Sequence, residues 1–418
     1  MLYLIALFIT IVVVCPISIY LAIGKVKDNK KDKKSNVLFN ATQIERNVTE
    51  EEIGDIVDYL SRHNQITYLV DEDQLQAKVE SIESDDEEDE IFEEVAIYAV
   101  RNNIGSSNRL MQVFNISFNR ITTGAVVYAV EDEYQIVFSS STEGRAWVEI
   151  DGERYFDNYN GVNRTFTKIH KVSVPMNVLN EAKEYEIHVQ KVTYRGPFGG
   201  YFGRDISQEY KFRPANASDG IEYYSISDIH MAGKPSAKTV SYFDNLDFLV
   251  VAGDIVSMMD SFEDANLTNI YSHEMTKGEI AVIYARGNHE LKGDYAEEFH
   301  NFVGTYNDKF YYNVWLDNTY ITVLDIGEDH DDNYWEYYDT CDFNEYRNRQ
   351  LELIRSELES KEYLNYDYRL VVCHIPLPFV NARHNHFDFK KDVTTLLNQM
   401  DIDMVISGHQ HDLLVFEP

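Results

Sequence analysis

The sequence predicts an α/β (α+β) architecture in three parts: an N-terminal membrane helix, an all-β sandwich, and a C-terminal domain of alternating strands and helices. Three observations carry this. Met1 to Ile23 hold no charged side chain, short runs of period-two alternation recur from Val95 to Pro214, and beyond Pro214 apolar runs alternate with helical stretches. At 418 residues the chain is longer than one ordinary core accommodates, which favours two domains with appended segments.

At helical rise the apolar run is long enough to cross the hydrocarbon core of a bilayer, so residues 1–24 are expected to anchor the chain or act as a signal segment. Ala22 and Gly24 suit a cleaved signal, whereas the missing basic flank before the run favours an anchor. The lysines at 25, 27, 30, 31, 33 and 34 would stay cytoplasmic under the positive-inside tendency, which leaves the orientation of the chain in tension with an exported C-terminal part. Cys15 follows Val14 where a lipid-attachment site needs a small residue, and it reads as a membrane-buried cysteine.

Residues 25–94 form a polar linker that ends near the acidic run from Ser84 to Glu90. One helix is expected within it, over residues 50–62, because Thr49 and Glu52 make a capping box ahead of Ile53, Ile56, Val57 and Leu60. Residues 95–215 should be the sandwich. Its strands are expected at Ala125 to Val130, Tyr134 to Ser139, Ala146 to Ile150 and Tyr185 to Val192, with turns at Ser141 to Gly144, Asp151-Gly152 and Asn160-Gly161. Residues 216–418 make the α/β domain. Buried strands are expected at Ile221 to Ile226, Phe248 to Val251, Ile280 to Ala285, Ile321 to Leu324, Leu370 to Cys373 and Met404 to Ile406, and helices at Asn344 to Lys361 and Phe389 to Met400.

With 71 acidic and 37 basic residues the net charge is -34, which opposes any nucleic-acid polymer as partner. Work on a phosphate group would require positive charge concentrated at the site, and bound cations supply it. The three cysteines, Cys15, Cys341 and Cys373, give neither a disulfide framework nor a Cys-x-x-Cys zinc pattern.

Five of the predicted strands run directly into metal-capable residues: Asp228-Ile229-His230, Gly253-Asp254, Gly287-Asn288-His289-Glu290, His374, and Gly408-His409-Gln410-His411. In open α/β sheets that edge is where sites are built. Asp228 and His230 stand two apart, as do His409 and His411, so in extended chain each pair projects to one side. An isolated Asp-x-His is most often an incidental surface pair, and a lone histidine after a strand is most often a satisfied polar residue. Five such pieces, each at the end of a predicted strand and in one consistent order, leave that reading little room. Nitrogen and carboxylate donors together suit zinc, iron or manganese better than calcium.

These blocks resemble the signature of calcineurin-like metallophosphoesterases, over about residues 221 to 412. The resemblance implies a four-layer α/β/β/α sandwich, two divalent metal ions and hydrolysis of phosphomonoesters or phosphodiesters. By position it implies that Asp228, His230 and His411 hold one ion, that Asn288, His374 and His409 hold the other, and that Asp254 bridges them. It leaves His289 free to contact the phosphate or protonate the leaving oxygen. Two ions about 4 Å apart can clamp both oxygens of an in-line displacement and lower the pKa of a shared water, which makes hydroxide the expected nucleophile. A preceding sandwich with a fibronectin type III-like segment from Val178 to Ile187, together with Glu290, also resembles purple acid phosphatases. Two departures stand out. Ser257 occupies the place of their metal-bound tyrosine, and they lack a histidine equivalent to His230, so the tyrosine's colour is not expected here.

Substrate contacts are expected from Arg286, with a salt bridge at the core edge as its competing use, and from His384 and His386 in the loop after the fourth block. The acidic cluster from Asp325 to Asp332 is expected to be solvated. The chain ends soon after His411, which points to a fragment lacking a terminal strand.

The leading reading is a membrane-tethered phosphoesterase facing the outside. A nucleotide or lipid head-group phosphodiesterase is the alternative among enzymes, and a surface-binding protein with an inert metal centre is the alternative of another class. Protease added to intact cells that express the full chain should degrade the C-terminal domain; complete protection, with cleavage only after lysis, would place it in the cytoplasm.

Overall fold

The computed structural model describes residues 120–412 except 159–160, 163, 165–166, 197–198, 232–237, 331, 338–339 and 378–386, and also residue 415. The expected membrane segment, the linker, its helix over 50–62 and the acidic run all lie outside the described residues, as does the start of the expected sandwich. No helix among the described residues is long and apolar enough to cross a membrane.

The first strands are β1 (Ile121–Val130), β2 (Glu133–Ile150), β3 (Glu153–Phe156) and β4 (Thr167–Pro175); the short helix α1 (Met176–Ala182) leads into β5 (Glu184–Gly196) and β6 (Gly199–Lys211). They pair antiparallel, as their alternation predicts. The turn expected at Ser141 to Gly144 is absent. The chain runs through it as one 18-residue strand, β2, with a register shift between Ser139 and Gly144 in its pairing with β4. This bulge lets the first half of β2 lie between β1 and β4 while the second half lies between β3 and β5. Asp151 and Gly152 do form a turn: φ values of 50° and 79° permit the two-residue hairpin joining β2 to β3.

The second half contributes β7 (Tyr223–Ile226), β8 (Phe248–Val251), α2 (Phe262–Thr276), β9 (Ala281–Tyr284), β10 (Tyr312–Leu316), β11 (Thr319–Leu324), α3 (Phe343–Ser360), β12 (Tyr368–Cys373), α4 (Phe387–Leu397) and β13 (Met404–Ile406). These strands make two sheets. One has the order β10-β11-β12-β13. The other continues β7, β8 and β9 into the antiparallel strands, in the order β6-β5-β2-β1-β9-β8-β7. The boundary expected at residue 215 is therefore crossed by hydrogen bonds, because β1 pairs in parallel with β9, Val127 opposite Ala281 and Tyr128 opposite Val282. The burial of β1 explains this. Residues Ala125 to Val130 are almost fully buried on both faces, so the strand needs cover above and below, which a place in the middle of a large sheet supplies.

The inner faces of the two sheets share one core, with Val127, Val250 and Ile283 opposed by Val314, Ile321 and Val372. Outside the large sheet, Ala265, Tyr271 and Met275 of α2 cover Leu249, Val251 and Tyr284. Outside the small sheet, Leu351 and Ile354 of α3 and Val393 and Leu397 of α4 cover Tyr320, Leu324 and Val371. The layers thus run helix, sheet, sheet, helix. Helix α2 was not legible as amphipathic, because its buried face is largely polar. Asn266 donates to Thr123 Oγ1 at 2.8 Å, and Asn269 donates to the Phe302 carbonyl at 2.9 Å while accepting from Tyr128 at 2.9 Å.

A shared sheet predicts shared unfolding. Ile136→Ala in β2 and Ile283→Ala in β9 should each cost about 2–5 kcal/mol and shift the same single denaturation transition followed by circular dichroism. Two separable transitions, each sensitive to one substitution, would contradict it.

Candidate metal centre

The loops after β7, β8, β9, β12 and β13 all open at one edge of the paired sheets, and they carry the five sequence blocks. Their backbones interlock. Asp228 N–H donates to the Gly253 carbonyl at 3.0 Å, His230 N–H to the Asp254 carbonyl at 3.1 Å, and Gly408 N–H to the His374 carbonyl at 2.9 Å. The approach is close enough to require glycine at two positions. A Cβ on Gly253, whose φ is +81°, would stand 2.5 Å from the Gly287 amide nitrogen, and a Cβ on Gly287 would strike the Asp254 carboxylate.

Five side chains from these blocks sit on left-handed backbone: Asp228 (φ 55°), His230 (40°), Asp254 (54°), His409 (72°) and His411 (52°). Each such conformation costs about 1–3 kcal/mol and persists only where surrounding structure enforces it. What the strain achieves is convergence. Ligand atoms of Asp228, His230 and His411 lie within 4.8 Å of one another, and so do those of Asp254, His374 and His409, and those of His230, Asp254 and His289. Asn288 joins the second group, its Oδ1 3.2 Å from His409 Nδ1.

Asp254 is the hinge between the groups. Its Oδ2 lies 3.1 Å from His374 Nε2, 3.9 Å from His230 Nε2 and 4.0 Å from His289 Nε2. Burial by itself would raise the pKa of Asp254, but the His374 ring and the His289 backbone amide outweigh it and hold the carboxyl below its usual value. Burial also opposes charge on His374, yet the Asp254 carboxylate outweighs that and carries the ring up to about 9. Burial, reinforced by the His289 and His411 rings, holds His230 below its usual value, so that ring favours its neutral form.

The donor chemistry fits divalent cations. His374 spends Nδ1 on the Ala252 carbonyl at 2.7 Å, and among the described residues its buried Nε2 meets only the Asp254 carboxylate, at 3.1 Å and without hydrogen-bond geometry. His230 Nε2 and His411 Nε2 face each other at 3.2 Å, and His411 Nε2 lies 3.4 Å from Asp228 Oδ1. Two imidazoles and a carboxylate aimed at one point repel unless a proton or a cation stands among them.

His289 is held differently. Its Nδ1 donates to the Ser257 carbonyl at 2.8 Å and its backbone N–H to Asp254 Oδ1 at 2.9 Å, leaving Nε2 on a part-exposed ring toward the cleft. Arg286 is not brought to the cluster: its guanidinium meets the buried Asp325 at 2.6 Å and lies over the Phe310 ring, and no hydrogen bond links it to the cluster among the described residues. His384 and His386 lie outside the described residues.

Three features escaped the sequence. Glu290, read there as one more metal-capable carboxylate, is fully buried and turned into the backbone, accepting from Gly287 N–H and Asp254 N–H at 2.9 Å and from Ile255 N–H at 2.7 Å. The acidic cluster after β11 is not a solvated run, since Asp325, Glu328 and Asp329 are all buried. The reason is Arg347 of α3, itself 1% exposed, whose Nη1 donates to the carbonyls of Ile326 and Glu328 at 3.0 Å and draws the loop inward. Asp329 then reaches His409 Nε2 at 2.8 Å. The position of this loop, at the one intervening strand end without a ligand block, was the available signal.

Two sheets between helices, with carboxylates and imidazoles gathered at their common edge, define a metal-site domain of the α/β class. Residues 223–413 match the family model of calcineurin-like phosphoesterases. No curated protein matches the chain. Among solved structures, a purple acid phosphatase from yellow lupin (Lupinus luteus) seeds is 12% identical, with 69% of this chain and 59% of that chain covered and a TM-score of 0.45. A carbohydrate acetylesterase from Xanthomonas citri is 12% identical, covering 69% and 68% at 0.23, and a bacterial immunoglobulin-like domain from the M. primoryensis ice-binding adhesin is 13% identical, covering 22% and 92% at 0.15. All three scores fall below 0.5, so these likenesses establish nothing about activity; this chain spans under two thirds of the length of the lupin enzyme.

Glu290→Ala removes the acceptor of at least three buried amides, each costing about 1–3 kcal/mol when left unpaired. Chemical denaturation should show a loss of several kcal/mol, whereas a change under about 1 kcal/mol would mean that water replaces the carboxylate without strain.

Proposed function

We propose that the chain hydrolyses phosphate esters at the edge of its two sheets, using two divalent metal ions, with residues 1–24 tethering the enzyme to a membrane. The observation that carries the reading is the pair of ligand sets, Asp228–His230–His411 and Asp254–His374–His409, adjoining through Asp254. Asn288 completes the second set with a neutral oxygen, which adds no negative charge facing an anionic substrate. Manganese, iron or zinc suits this mixture of nitrogen and carboxylate donors. When bound, such ions supply Lewis acidity and a hydroxide nucleophile at neutral pH.

The protein's own groups have distinct parts. Asp254, its pKa held down by His374 and by the His289 amide, adjoins both sets through Oδ2, which lies 3.1 Å from His374 Nε2 and 3.9 Å from His230 Nε2. His289, fixed through Nδ1 by the Ser257 carbonyl, keeps Nε2 for the substrate, where it stabilises charge on the phosphate or delivers a proton to the leaving oxygen.

A panel of chromogenic phosphomonoesters and phosphodiesters, assayed with elemental analysis of the purified protein, tests the reading. Turnover on at least one ester is expected. Asp228→Asn should lose metal and activity with the fold retained, and His289→Ala should lower kcat by about 10²–10⁴ while keeping bound metal. A metal-loaded wild-type protein inert on every ester would instead favour a surface-binding protein.

A further inference from the structure

The loop after β11 carries a buried carboxylate that the proposed centre has not yet used. Asp329 is 4% exposed, and its Oδ2 lies 2.8 Å from Nε2 of His409. The other nitrogen of that ring, Nδ1, lies 3.2 Å from Asn288 Oδ1, and His409 belongs to the group formed with Asp254 and His374. An imidazole that donates Nε2–H to a carboxylate has its proton fixed there, so Nδ1 presents a lone pair. A lone pair and an amide oxygen facing each other across 3.2 Å share no hydrogen, and a cation reconciles them.

Asp329 is itself held in place. Its backbone N–H donates to Glu328 Oε1 at 3.0 Å, and Arg347 grips the Ile326 and Glu328 carbonyls just before it at 3.0 Å each. The opposite flank of His409 is fixed as firmly, since its backbone N–H donates to both Asp228 oxygens, at 3.0 and 2.8 Å. The ring is therefore set at the backbone by one carboxylate and at Nε2 by another.

On the reading of this site as a two-metal centre, we propose that Asp329 is a positioning residue that fixes the tautomer and orientation of His409, and so sets the cation affinity of the Asn288–His374–His409 side. A carboxylate behind a ligating histidine raises the basicity of the ring, and its loss typically weakens metal binding about 10–100-fold.

The test titrates Zn²⁺ into the metal-stripped full chain against a competing chelator, for wild type, Asp329→Asn and Asp329→Glu, with the melting temperature of each metal-stripped form recorded. Wild type should bind two ions. D329N should keep one affinity and weaken the other about 10–100-fold, with its metal-stripped melting temperature close to wild type, and D329E should recover part of the loss. Wild-type affinity at both sites in D329N would overturn the proposal while leaving the phosphoesterase reading intact; a wild type that binds no Zn²⁺ would sink that reading first. Should D329N fail to fold, the nitrogen-15 spectrum of Zn²⁺-loaded wild type decides, because the proposal requires His409 protonated at Nε2 and an unprotonated Nε2 refutes it.

Discussion

The centre depends on one buried carboxylate that faces away from it. Glu290 accepts backbone amides from the loop after β8 and from the loop after β9, and thereby fastens two strand ends into one rigid unit. Asp254 and Asn288, contributed by those two loops, have their separation set by this clamp. The glycines at 253 and 287 belong to the same constraint, because the clamp pulls the loops to a distance at which a Cβ would collide. The left-handed backbone at Asp254 follows as well: the chain must turn sharply to send its amide toward Glu290 and its carboxylate toward His374. The centre is thus an outcome of backbone hydrogen bonding between loops, with the donor side chains riding on it.

Much of this was legible in the sequence, and for identifiable reasons. The strands β8 and β13 fall where their apolar runs put them, and β7, β9, β11 and β12 within a few residues; β8, β9 and most of β11 are apolar because they are buried throughout. The donor residues were legible because they stand directly after those runs, where a parallel sheet opens to its edge. What stayed hidden was whatever depends on contacts distant in sequence. The buried polar face of α2 has no apolar period, because its asparagines satisfy partners such as Thr123 and Tyr128 that lie far away in the chain. The fusion of the antiparallel strands to the catalytic sheet rests on the short β1–β9 ladder, which no local pattern announces. Asp325, Glu328 and Asp329 looked solvated because charge runs normally are, whereas partners distant in sequence turn the loop inward: Arg286 at Asp325, Lys292 at Glu328, and Arg347 at the loop carbonyls.

The same comparison separates two kinds of arginine. Arg286 adjoins the third block and was an obvious candidate for a phosphate contact, yet Asp325 neutralises it and Phe310 covers it. Arg347 sits in a helix with no motif around it, yet it shapes the loop that reaches His409. Proximity in sequence to a donor block was a poor guide. Proximity in the sheet order was a good one, since β11 lies beside β12, whose end carries His374.

A chain of net charge -34 that gathers carboxylates at one sheet edge has to offset the repulsion that would otherwise drive them to take up protons. Two environments accomplish this. Glu290 is held above its usual pKa by burial and by the charge of Asp254, which outweigh the opposing pull of His374 and of the backbone amides. Asp254 faces the other way, where His374 and the amide of His289 hold it below its usual value. The two carboxyl groups are thus driven apart in their tendency to ionise, although amides of the same loops bind both. The one kept ionised is the one that meets His374 and looks across to His230, which is where a cation is of use; the one surrounded by amides needs no counter-ion and can serve as scaffold. The division of labour between Asp254 and Glu290 is therefore electrostatic, and it follows from which side of the loop pair each side chain leaves.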